Sequence, residues 1–101
     1  MSNSSTLTPR EKTLLATRFF KLLSEKNFDA ERTGQSLAFS PDSIWETADL
    51  DGIPKESITP IIIDHLRKLD YIIVHADGKI SIKNNGKDHC NEEIILPENI
   101  Q

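Results

Sequence analysis

The side chains with the widest chemical repertoire in this chain are three histidines, His65, His75 and His89, and the lone cysteine Cys90. Zinc ligands come in close pairs such as Cys-x-x-Cys or His-x-x-x-His, and these four positions include no such spacing. They read as structural residues, with no metal and no cofactor expected. Catalysis finds no foothold either, because no Gly-rich phosphate loop, His-Glu-x-x-His run or base-oriented nucleophile is recognisable. The chain reads as a non-enzyme. What remains is anion-binding chemistry: Pro54 to Lys87 carries six bases against four acids, although the 101-residue chain has a formal charge of -4. Neutralising phosphates takes several cations in one patch, so a single copy should hold a polyanion weakly.

The elements that must position these groups belong to one domain, since this length supports a single core and no second catalytic unit. Hydrophobic content of 37% and charged content of 28% are those of an ordinary globular chain. No apolar run reaches the roughly 18 residues a membrane span needs, and the first residues lack the order of a signal peptide. A cytoplasmic location and no membrane partner are expected. One cysteine cannot form an internal disulfide, which agrees with a reducing compartment.

Residues 1–7 are polar and read as a flexible N-terminal segment. Thr8, Pro9 and Glu11 spell a capping box with proline at the first helical position, and apolar residues from Leu14 to Leu23 recur at helical spacing. A first helix is predicted from Pro9 to about Lys26, followed by an exposed connection from Asn27 to Leu37. Ser40-Pro41 repeats the start signal, with Phe39 placed to staple onto Ile44, and predicts a short helix to Asp49. Its Trp45 is read as a core plug. Asp51-Gly52 is a turn, and a third helix carries Ile58, Ile62, Leu66 and Leu69 along one stripe. Pro60 leaves two starts open, one near Pro54 or Lys55 and one with Thr59 as cap; the former is preferred. Tyr71 to Lys83 then alternates as a β-hairpin around Asp77-Gly78, the signal for a two-residue type I′ turn. A short helical piece to about Glu93 and a tail over residues 94–101 complete the chain.

The order helix, helix, turn, helix, hairpin resembles the winged helix-turn-helix superfamily, especially small prokaryotic regulators of the MarR, PadR and ArsR kind. Two stretches carry the resemblance. Ile63-x-x-Leu66-x-x-x-Asp70-Tyr71-Ile72 is similar to that group's exit from helix 3 into the wing, and Ile80-Ser81-Ile82-Lys83-Asn84-Asn85-Gly86-Lys87 to its exit from the wing. Asp70 stands where the family pattern has Gly, and Lys83 where it has a helix-capping Thr. The resemblance implies an α+β fold over residues 8–93, a three-helix core with a C-terminal hairpin wing.

It also implies a DNA-binding transcriptional regulator, with helix 3 in the major groove of double-stranded DNA and the wing on the backbone. On that basis Lys55, Ser57, Thr59, Ile61, Lys68, Lys79 and Lys83 are the expected DNA contacts: lysines and hydroxyls to phosphate or base edges, Ile61 to a thymine methyl. The competing reading leaves the same face simply solvated, with Lys79, Ser81 and Lys83 protecting a sheet edge. A helix 3 face read as free of Arg, together with the acidic total, favours the alternative function of a module for protein-protein contact in a larger assembly. A homodimer is expected because Phe20 and Ile94-Ile95-Leu96 would otherwise leave apolar surface exposed.

Overall fold

Thr8 opens the first helix as its sequence predicts: the Glu11 amide donates to Thr8 Oγ1 at 3.1 Å and the Thr8 amide to Glu11 Oε1 at 2.9 Å. The computed structural model describes residues 8–45, 55–89 and 92–96, with Lys55 and Glu56 as backbone alone. Helix α1 spans Pro9–Thr33, well past the expected end at Lys26. Asn27 and Ala30 continue its buried face, a polar and a small residue that a stripe of large apolar side chains does not flag. Gly34, at φ 75°, stops it in the left-handed region that glycine enters at no steric cost.

Helix α2 spans Pro41–Trp45 within the described residues, and its expected continuation to Asp49 lies outside them, as does the turn at Asp51-Gly52. Helix α3 spans Lys55–Lys68 with Pro60 inside, the earlier of the two starts. Ile58, Ile62 and Leu66 are buried, while Leu69 is exposed and leaves the predicted stripe. The exit of α3 is a Schellman turn: Tyr71 N–H donates to the Leu66 carbonyl at 3.1 Å and Asp70 N–H to that of Arg67 at 3.0 Å. Asp70 accordingly sits at φ 66°.

Strands β1 (Ile72–Val74) and β2 (Ile80–Ile82) pair antiparallel, with Ile73 opposite Ser81. Their connection is not the type I′ turn expected of Asp77-Gly78. His75 N–H donates to the Lys79 carbonyl and Gly78 N–H to the His75 carbonyl, leaving three residues in the loop. Gly78, at φ 91°, is the position with positive φ there, while Asp77 Oδ1 accepts from Lys79 N–H. This is the glycine-bulge loop. Phe39 adds one rung on the far side of β2, exchanging both backbone bonds with Ile80 at 2.8 and 2.9 Å. It packs half-buried against the core that holds Ile44.

Helix α4 is a single turn, Asn84–Lys87. A Cβ on Gly86 would lie 2.4 Å from the Tyr71 carbonyl oxygen, so only glycine lets the two backbones approach. Tyr71 is itself sandwiched between the rings of Phe20 and His89. Past α4, Ile94 and Leu96 enter the core against the other elements, and Ile94 N–H donates to Thr17 Oγ1 at 2.8 Å. The stretch expected to be tail therefore finishes the core as far as Leu96. With Phe20 fully buried as well, most of the apolar surface expected to drive self-association is covered within the chain; Ile95 stays 66% exposed. Among the described residues no helix is long and apolar enough to cross a membrane.

Candidate nucleic-acid interface

Helix α3, α2 and β1 enclose a groove of about 750 Å³ whose apolar lining is Pro41, Trp45, Pro60, Ile63 and Val74. Asp64 and Arg67 stand on its α3 side. Arg67 corrects the Arg-free reading of the outer face of this helix, since its guanidinium is largely exposed. The Asp64 carboxylate accepts from Arg67 at 2.9 Å and contacts Lys68 Nζ at 3.1 Å. Those two cations, Arg67 first, hold its pKa below the ordinary carboxylate value. Exposed pairs of this kind are worth little and exchange readily for another anion.

The seven expected contacts do not form one surface. Ser57 and Lys79 are exposed, and Lys79 has no ion pair among the described residues. Lys68 is exposed but shares Asp64, and the Lys55 side chain lies outside what is described. Thr59 is a correction: it is 9% exposed, and its Oγ1 accepts from Trp45 Nε1 at 2.7 Å. A threonine three and seven residues before Ile62 and Leu66 stands on the buried stripe, a signal present in the sequence. Ile61, expected on the outer face, is half-buried against the core. Lys83 pairs with Asp70.

The strand face of Lys79, Ser81 and Lys83 is thus no continuous basic stripe. Ser81 Oγ donates to the Leu37 carbonyl at 2.8 Å, so it accepts from His75 Nε2, also at 2.8 Å. This polarity is opposite to that of a histidine base activating a hydroxyl. Among the described residues no three His, Cys, Asp or Glu side chains are grouped to hold a metal ion. Unpaired cations concentrate elsewhere: Arg10, Arg18 and Lys21 are exposed on α1, outside every ion pair of the described residues. No family model matches the sequence, and no curated protein or solved structure is similar to it at the significance required.

Proposed function

We propose that the chain is a winged helix-turn-helix regulator that binds duplex DNA, with α3 as the major-groove helix and the β1–β2 hairpin as the wing. The supporting observation is that Arg67 of α3 and Val74 of the hairpin line one groove, so helix and wing present a common side. Lys79 at the hairpin loop is free to meet phosphate, and Arg67 and Lys68 can exchange Asp64 for phosphate at little cost. Ser57 and Lys55 complete the contact set with Lys83, whose exposed pair with Asp70 can be exchanged in the same way; Thr59 and Ile61 leave it because they are engaged within the fold. Few free cations per copy make two copies on one duplex part of this reading.

Salt-dependent binding to a mixed-sequence duplex tests it. Lys79→Ala and Arg67→Ala should each weaken binding on all sequences and flatten the salt slope by about one counterion per copy. Absence of any duplex binding at low salt overturns the reading. The second reading, a protein-contact module, is favoured by the apolar lining of the groove, which includes exposed Val74. It expects a protein to occupy that groove and no salt-sensitive DNA binding.

A further inference from the structure

We propose that the outward face of α1 docks an acidic amphipathic helix of a partner protein, with Leu14 and Phe28 as its two apolar anchors. The core side of α1 carries Leu15, Phe19 and Leu23; Leu14 and Phe28 are turned away from it, 53% and 66% exposed. Fourteen residues separate them, nearly four helical turns, so they share one side of the helix about 21 Å apart. Arg18, Lys21 and Glu25 lie exposed between them, and Arg10 one turn before Leu14. Arg10, Arg18 and Lys21 are unpaired among the described residues, which leaves this stripe positively charged. A recess of about 200 Å³ opens beside Phe28, bounded by Ile82 and the Lys87–Glu31 ion pair, with room for one large side chain.

The chemistry selects among occupants. A second copy lying antiparallel, Leu14 against Phe28, would bring Arg18 beside Glu25 but set Lys21 against Lys21 and Arg10 against Arg32, and the surplus of cations over Glu25 on both stripes would stay unmatched. Like charges directly opposed oppose that pairing. Duplex DNA would take the cations but give Leu14 and Phe28 no apolar surface. A helix with leucines on one side and carboxylates beside them meets both requirements. This face is separate from the side proposed for DNA, so the two activities can fail independently.

The probe is a designed amphipathic peptide of about 20 residues, leucines along one side and glutamates beside them, titrated onto the full chain by calorimetry. Binding is expected, weakened about tenfold or more by Phe28→Ala, weakened by rising salt, and lost with Arg18→Glu combined with Lys21→Glu. All three positions are exposed, and circular dichroism verifies that the variants fold. A peptide with lysine in place of glutamate should not bind. The proposal is overturned by no binding, by equal binding of the lysine peptide, or by indifference to Phe28→Ala. It is equally overturned if the α1 variants abolish duplex binding or chain dimerisation while leaving the peptide unaffected.

Discussion

Asp70 and Lys83, thirteen positions apart, close an ion pair over the exit of α3. These are the two residues at which the sequence departs from the regulator pattern, and each answers the other. Asp70 occupies the left-handed position that ends the helix, and Lys83 starts the turn of α4 without a side-chain cap. Asn85 Nδ2 donates to the carbonyls of Leu69 and Asp70, so the same short segment also satisfies the helix end.

Asp70→Ala should therefore cost about 1–2 kcal/mol, since alanine pays the left-handed penalty without the local compensation that aspartate has. Asp70→Gly should stay within about 1 kcal/mol of the parent, because the relieved backbone offsets a mostly exposed pair and a more flexible unfolded chain. Urea titration of both, with Lys83→Ala to complete a double-mutant cycle, decides it; a coupling above about 1 kcal/mol would exceed what this exposed pair can supply.

Thr59→Val should destabilise the fold by about 1–3 kcal/mol, because it strands the buried Trp45 indole N–H, whereas Thr59→Ser should keep the bond. The contrast is read by thermal unfolding. A change in preferred DNA sequence with unchanged stability would instead return Thr59 to the groove.

Gly86→Ala should cost about 1–3 kcal/mol even though alanine gains about 1 kcal/mol of helix propensity. The new methyl meets the Tyr71 carbonyl, which already accepts from Lys83 N–H at 2.8 Å. Neutral behaviour in chemical denaturation would mean that α4 can lift off Tyr71.

Ile94→Ala and Leu96→Ala should each cost about 2–5 kcal/mol as core deletions, while Ile95→Ala between them should change stability by less than about 0.5 kcal/mol. Denaturation midpoints of the three variants report whether residues 94–96 belong to the core.

Glu31 is held below the ordinary carboxylate pKa by the hydrogen bond from Lys87 and then by its charge. Its folded pKa lies below its unfolded one, so its contribution is present above the ordinary carboxylate range and is lost as pH falls through the depressed value. Lys87→Ala should thus differ from the parent near neutral pH and converge with it in acid. A gap that persisted at low pH would assign the effect to packing.

Legibility followed the range of the interaction. Thr8, Pro9 and Glu11 settle the start of α1 among neighbours, and the buried trio Ile58, Ile62 and Leu66 shows the helical period directly. The hairpin was legible but its loop was not, since Asp77 accepts a local N–H with its side chain and leaves positive φ to Gly78. Ile94 and Leu96 are too few to display a period, and their fixed point, Thr17, lies 77 positions away. In the expected DNA surface, periodicity separated face from face but missed pairing: Asp64 and Asp70 claim cations that a list of lysines counts as free.

Trp45 is the only tryptophan in the chain, tilted against Phe19 with ring centroids 5.0 Å apart and tied to Thr59. The protein therefore carries its own optical label at the meeting point of α1, α2 and α3. Its emission responds to water reaching that junction. Comparing emission with circular dichroism would separate opening at the three-helix junction from loss of helix elsewhere, without attaching a dye.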